Sequence, residues 1–212
     1  MSEAAPGTGD DPVFSTPARA ELAQAMRDLI EVSMTARHAS AAELHAATAS
    51  VRDATAALGH VGSPGSPGYT PRSHGDYLPR SPVVGESSPL SPRFDWSVDN
   101  GRVEVLGRFG AAYEGPPGCV HGGMIALAFD EVLGIVNIAN DCPGMTGTLT
   151  VRYRSPTPLY ELLRFDAWVE RRDGRRIHSK AQMFAGDRLC AEAEGVFVQP
   201  RPEWAAEYFG QA

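Results

Sequence analysis

A helix that is apolar on nearly every side is the strongest constraint on the fold of this chain. Residues 115–140 read GPPGCVHGGMIALAFDEVLGIVNIAN and predict a glycine-rich loop that leads into this helix. Such a helix must be enclosed by other elements, because its apolar surface has to leave water. Asp130 and Glu131 nevertheless stand in its middle, and a buried charge costs several kcal/mol unless it is paired or hydrogen-bonded. A carboxylate in this setting is therefore a candidate for chemistry.

Strand patterns flank the helix on both sides. Residues 94–98 and 102–109 surround the turn Asp99-Asn100-Gly101, which is a strong hairpin signal. After the helix, the alternation TGTLTVRYR predicts another strand. That strand spans 146–154, and three further strands with turns at 173–174 and 186–187 complete the pattern: 162–171, 176–185 and 188–198. The order of hairpin, helix and meander predicts an α+β domain in which an antiparallel sheet curls around one central helix.

The first 80 residues differ in composition from the rest of the chain. Leu22, Met26, Leu29 and Ile30 recur at helical spacing in an alanine-rich, proline-free stretch, which predicts one or two helices. A packing element or a cover for a dimer interface is favoured there over a membrane or partner helix. The predicted organisation is a disordered segment (1–17), a helical extension (18–58), a Pro/Gly/Ser-rich linker (59–80), the α+β domain (81–199) and a C-terminal tail (200–212).

Composition argues against several classes of protein. The formal net charge is −7, whereas nucleic-acid binding needs basic faces. No apolar run approaches the roughly 20 residues of a membrane span. The first residues lack the basic and apolar regions of a secretory signal peptide. The three cysteines, Cys119, Cys142 and Cys190, fit neither a disulfide framework nor a zinc site. We therefore expect a cytoplasmic protein without a metal or cofactor.

The predicted start of the apolar helix is a candidate anion site. Gly122 and Gly123 offer backbone N–H groups that have no helical partner, and the helix dipole adds partial positive charge there. Such a site holds a phosphate or a developing oxyanion, although a close-packed turn is the alternative interpretation. His121 is a candidate base, ligand or hydrogen-bonding residue of the loop, and we favour the last. No second histidine stands at metal-ligand spacing.

The spacing along the helix limits how these groups can cooperate. Asp130 follows Gly122 by eight residues, which is about 12 Å of helix rise. Acyl transfer needs the carboxylate and the oxyanion donors within roughly 3–5 Å of one carbonyl. One helix cannot bring both to the same carbonyl, whereas two antiparallel copies can. If both groups act in one reaction, we expect the active site to lie between two subunits.

The segments VHGGMIALAFDEVLG and TGTLTVRYRSPTPL resemble the hotdog-fold thioesterase superfamily, in its 4-hydroxybenzoyl-CoA and phenylacetyl-CoA-pathway branch. The matching features are His-Gly-Gly with an Asp nine residues after the His, and a strand that ends in Tyr, a basic residue and Pro-x-Pro. The resemblance covers about residues 81–198. It implies a hotdog fold, a dimer with a continuous sheet, often a tetramer, and metal-free hydrolysis of an acyl-CoA thioester.

The resemblance also implies roles for individual residues. Asp130 would be the nucleophile or general base, and Gly122 would offer its N–H to the thioester oxygen. His121 would stiffen the loop, and Thr146 would orient the water or the carboxylate. Many members have Asn six residues before the His, where this chain has Gly115; either that amide is dispensable here or the preceding glutamate takes over part of its role.

Candidate substrate contacts lie at the helix start and on the strand after the helix. Gly123 is the candidate at the helix start. Strand alternation predicts that Thr148, Arg152 and Arg154 share one face with Thr146, while Leu149, Val151 and Tyr153 take the other. Thr148 is thus a close competitor of Thr146 for the role beside Asp130, and arginine suits the phosphates of CoA.

The rival functions are a non-catalytic acyl-CoA or lipid sensor and a hydratase on the same fold.

Overall fold

The computed structural model describes residues 16–59, 78–201 and 203. Contacts divide the chain into two units. The first lies within Met1–Ser81 and Glu86–Pro89, and the second comprises Pro82–Gly85 and the chain from Leu90 on. The predicted disordered segment falls almost wholly outside the described residues, as do most of the linker and the C-terminal tail, so these three remain predictions.

The first unit contains two helices, which confirms the predicted helical extension. Helix α1 is Pro17–Thr35 and helix α2 is Ala41–Leu58. Each begins at a residue whose hydroxyl accepts a backbone N–H, Thr16 for α1 and Ser40 for α2. Glu43 returns a bond to the Ser40 backbone, which completes a capping box, and the hydrogen bonds from Ser40 hold the pKa of Glu43 below its usual value. These caps explain where both helices start.

The second unit is a six-stranded antiparallel sheet and one long helix. Its strand order is β1-β2-β4-β5-β6-β3. Strand β3 follows the helix in the chain but pairs with β6, and it forms one edge of the sheet. The elements are β1 (Asp95–Asp99), β2 (Arg102–Gly107), α3 (Gly122–Ala139), β3 (Met145–Tyr153), β4 (Leu163–Asp173), β5 (Arg176–Ala185) and β6 (Arg188–Val198).

Helix α3 lies against one face of the sheet and contacts β2 to β6. Its buried side chains meet alternate residues of the strands, and Phe129 packs edge to face on Phe165 of β4 with ring centroids 5.3 Å apart. By length and composition alone α3 also fits a membrane span, with a mean hydropathy of 1.5 over 18 residues. Here its apolar residues pack against the sheet instead. The predicted antiparallel sheet around one central helix is confirmed.

The sheet face away from α3 is covered by charged side chains. Arg152 pairs with Glu194 at 2.9 Å, and Lys180 pairs with Glu170 at 2.5 Å. Guanidinium groups lie over two aromatic rings: Arg102 is 4.7 Å from the centre of the Trp168 ring, and Arg164 is 4.8 Å from that of Phe184. One face of the sheet therefore holds the core, and the other is polar.

Candidate active site

Asp130 is held by a hydroxyl from the edge strand. Thr146 of β3 donates to Asp130 Oδ1 at 2.7 Å. The Asp130 side chain is half-buried, so it lies at the margin of the core rather than inside it. Its second oxygen has no hydrogen-bond partner among the described residues. One carboxylate oxygen is thus fixed, and the other is available to a water or a substrate.

At the start of α3, one backbone N–H group is available to a ligand, and the next is capped by a side chain. His121 precedes the first helical residue, and its Nδ1 accepts the N–H of Gly123 at 3.0 Å. This bond requires an unprotonated Nδ1 and places the proton of the neutral ring on Nε2. The Gly122 N–H has no acceptor among the described residues. The geometry therefore favours Gly122 over Gly123 as the donor that faces a ligand.

The loop before α3 is closed by its own hydrogen bonds. Glu114 Oε1 accepts the N–H of Gly118 at 2.7 Å, and the His121 N–H donates to Tyr113 O at 2.8 Å. A Cβ on Gly115 would lie 2.8 Å from the His121 Cα, which is closer than real Cβ contacts come. A side chain at this position, including the Asn that the resemblance led us to expect, would require the backbone to move. Glu114 bonds within the loop.

A second segment supports the same loop from outside. The Val120 N–H donates to Thr157 O at 2.9 Å, and the Leu159 N–H donates to Gly118 O at 3.1 Å. The sequence signal for this segment is Pro156-x-Pro158, because each proline favours an extended conformation in the residue before it. The downstream Pro-x-Pro motif therefore clamps the loop that leads into α3.

A bulge in β3 overturns the predicted alternation of its side chains. Thr146 pairs with Phe197 of β6 and Thr148 pairs with Val196, which leaves Gly147 as an extra residue. Phe197 is buried on the helix side of the sheet, so Thr146 faces α3 while Thr148 faces away. The prediction that Thr146 and Thr148 share one face is wrong, because a single inserted residue reverses the two-residue period.

The same bulge moves the two arginines away from Asp130. Arg152 shares the outer face with Thr148, and Arg154 pairs there with Glu192, whereas both were predicted on the face of Thr146. Arg152 pairs with Glu194, and its hydrogen bond, aided by the charges of Lys180 and Arg152, holds the pKa of that carboxyl below its usual value. Arg154 forms an ion pair with Glu192. Their role as contacts for CoA phosphates stays a prediction.

Tyr153 is a residue that sequence reasoning missed. It lies on the helix-facing side of β3, together with Thr146, and its hydroxyl donates to Gly122 O at 2.8 Å. Strand alternation in the sequence had predicted that Tyr153 lies on the other face of the strand from Thr146. The available signal was Gly147, because a glycine inside a strand pattern often marks a bulge.

Helix α3 leaves one face uncovered along the length of the site. Gly123, Leu127 and Ile138 are exposed on this helix, and Asp130 and Gly134 are half-buried. The helix is continuous from Gly122 through Asp130, so its start and its own carboxylate are separated by about 12 Å of rise. One chain therefore provides both groups without bringing them together.

A groove in the second unit lies apart from this cluster. A groove of about 720 Å³ is lined by residues that include Met145, Val198, Arg175 and Arg201, and it contains neither Asp130 nor Gly122.

Within the described parts of the chain, no three His, Cys, Asp or Glu side chains are grouped in a way that could hold a metal ion.

The match to a known family covers both halves of the site. Residues 117–193 match the family model described as Thioesterase superfamily. This range begins before His121 and includes Asp130, Thr146 and Tyr153. Residues 117–193 are therefore similar to the thioesterase superfamily. The helix start, the carboxylate and the strand that supports them thus all lie within the matched range.

Individual relatives agree with this assignment. The chain is 36% identical over 104 residues to acyl-coenzyme A thioesterase THEM4 of Xenopus laevis, covering 48% of this chain and 46% of that protein. It is 30% identical over 116 residues to the protein of the same name from Mus musculus, covering 52% and 50%. The chain spans about half the length of the curated relatives it matches.

A solved structure extends the similarity beyond the α+β domain. A crystal structure described as a thioesterase superfamily protein is 28% identical, with a TM-score of 0.74, and the match covers 85% of this chain and 94% of that one. The sheet and helix of the second unit are therefore the hotdog fold. Because 85% of the chain exceeds the α+β domain and tail together, the match also includes part of the first 80 residues.

Proposed function

We propose that this protein hydrolyses an acyl-CoA thioester to the free acid and CoA. The observation that carries the proposal is the hydrogen bond from Thr146 to Asp130, which fixes a carboxylate on the uncovered side of the central helix. The thioesterase superfamily match and the acyl-coenzyme A thioesterase names of the curated relatives support the reaction class.

The proposed reaction uses Asp130 as nucleophile or general base. Either its carboxylate oxygen attacks the thioester carbonyl carbon, or it takes a proton from the water that attacks. Negative charge then develops on the carbonyl oxygen, and the Gly122 N–H and the helix dipole stabilise it. The carbon–sulfur bond breaks, and CoA leaves as a thiolate that takes up a proton. In the nucleophilic route, water then hydrolyses the acyl-aspartate.

The proposed active site is built from two chains. The helix geometry separates Gly122 from its own Asp130, so the donor and the carboxylate on one thioester come from different copies. The outer edge of β3 pairs with no other strand among the described residues, and this edge supports a dimer because its backbone groups can extend the sheet into a second copy. A dimer, or a dimer of dimers, is part of the proposal. So is a reducing, cytoplasmic location, where the three free cysteines would persist.

Release of CoA thiol from a panel of acyl-CoAs tests the function. We expect turnover of at least one acyl-CoA, abolished by loss of Asp130. Tight binding of acyl-CoA without any thiol release would favour the non-catalytic sensor, the runner-up on this fold. Formation of a hydroxyacyl-CoA from an enoyl-CoA would instead favour a hydratase.

The two threonines of β3 provide a matched pair of variants. Thr146→Val is expected to lower kcat about tenfold, because it removes a hydrogen bond to a charged group. Thr148→Val is expected to leave kcat unchanged, because Thr148 faces the other side of the sheet. Steady-state kinetics on the same acyl-CoA checks both. Equal losses in the two variants would contradict the assignment of Thr146 to Asp130.

The predicted phosphate contacts are tested with two substrates. If Arg152 and Arg154 bind the nucleotide of CoA, Arg152→Gln and Arg154→Gln should raise KM for acyl-CoA at least about threefold and leave kcat unchanged. The matched substrate is the same acyl group on pantetheine, which lacks the nucleotide and should show no change in KM. An unchanged KM for acyl-CoA would mean that the pairs with Glu194 and Glu192 are structural only.

A further inference from the structure

Tyr153 touches the first residue of α3 in two ways. Its hydroxyl donates to Gly122 O at 2.8 Å. A Cβ on Gly122 would lie 3.4 Å from the ring carbon Cζ of Tyr153, so the ring lies directly against this glycine. We propose that Tyr153 is a positioning residue, which holds the Gly122 backbone so that its N–H faces the thioester oxygen. The inference rests on the proposed function and adds a residue to it.

The helix start needs such support because it is intrinsically loose. Two consecutive glycines lose more conformational freedom on ordering than any other pair of residues. The N–H groups of the first turn also lack the hydrogen bonds that hold the rest of a helix. A structural device must therefore fix this turn if its N–H groups are to stay aimed at one atom.

Tyr153 and His121 hold opposite ends of one peptide group. His121 Nδ1 accepts the Gly123 N–H, and the Tyr153 hydroxyl donates to the Gly122 carbonyl. Because the peptide group is planar, fixing both ends fixes its orientation. The preceding peptide group is held by the His121 carbonyl, which accepts the N–H groups of Met124 and Ile125. Gly122 is thus fixed on both sides, and Tyr153 supplies the side-chain contact to its carbonyl.

One strand supports both groups of the proposed reaction. Thr146 at the start of β3 holds Asp130, and Tyr153 at its end holds Gly122. These residues are seven positions apart, which in a regular strand would place them on opposite faces. The bulge at Gly147 brings both to the face that meets α3.

The Tyr153→Phe variant tests the inference, because it keeps the ring and removes only the hydroxyl. We expect kcat to fall about three- to tenfold, as for one lost hydrogen bond, with KM within about twofold of the wild type. We also expect faster amide hydrogen exchange at the start of α3, measured by mass spectrometry on the full chain. The matched control is Ser155→Ala, which removes a hydroxyl bond of 2.9 Å to Leu189 O away from Gly122 and should change neither value.

The outcomes separate this inference from the proposed function. Unchanged kcat and unchanged exchange in Tyr153→Phe would overturn the role of Tyr153. Equal effects in Ser155→Ala would overturn it as well, since any lost hydrogen bond near the end of β3 would then suffice. If the wild-type protein hydrolyses no thioester, the proposed function fails. The exchange rate of the Gly123 N–H, which donates to His121 Nδ1, then decides alone whether Tyr153 orders the helix start.

Discussion

Asp130→Asn is expected to lower kcat for acyl-CoA hydrolysis about a hundredfold or more, as for loss of a positioned base or nucleophile. The amide is neutral, so it neither attacks a carbonyl nor accepts a proton from water. Its oxygen can still accept the Thr146 hydroxyl, so the local structure should be preserved. Thiol-release kinetics on the purified variant measures the loss, and circular dichroism verifies the fold.

The neighbouring acid provides the control for this variant. Glu131 is half-buried on the same helix and points about 100° away from Asp130. Glu131→Gln removes an equal charge one residue away, and we expect kcat to stay within about threefold of the wild type. Near-normal turnover by folded Asp130→Asn would sink the assignment, and so would a comparable loss in Glu131→Gln.

Much of the fold was predictable because it follows from local chemistry. The hairpins β4–β5 and β5–β6 turn at Gly174 and Gly186, whose positive φ angles of 54° and 59° suit glycine. The enclosure of α3 follows from its apolar circumference. The first helical residue, Gly122, was predicted as well. These features need no knowledge of which strands pair.

The site was predictable only in part, because its details depend on pairing. The bulge at Gly147 exists only relative to β6, so a strand pattern that is read alone assigns the wrong faces downstream of it. Because of that single residue, the predicted faces of Thr148, Arg152 and Arg154 relative to Thr146 were wrong, and the contact of Tyr153 with the helix start was missed. The tight approach of Gly115 to His121 is likewise a tertiary contact, so the sequence shows the glycine but not its reason.

The two-chain site predicts recovery of activity when two inactive variants are mixed. Gly122→Pro removes the proposed donor N–H but should keep the helix, because proline is favoured at the first helical position. The His121 backbone, with φ −63° and ψ 134°, already has the conformation that precedes proline. Asp130→Asn removes the carboxylate instead. Each variant alone is expected to be nearly inactive.

In a mixed dimer of Gly122→Pro and Asp130→Asn chains, one site receives the intact carboxylate of one chain and the intact donor of the other. Random exchange should therefore restore about a quarter of wild-type activity, since half of the dimers are mixed and each holds one complete site. The matched control mixes wild-type chains with chains that carry both substitutions, and its mixed dimers should be inactive. Dimers isolated through two affinity tags allow both measurements. The reverse result, an inactive first mixture and an active second one, would show that Gly122 and Asp130 act within one chain and would contradict the two-chain mechanism.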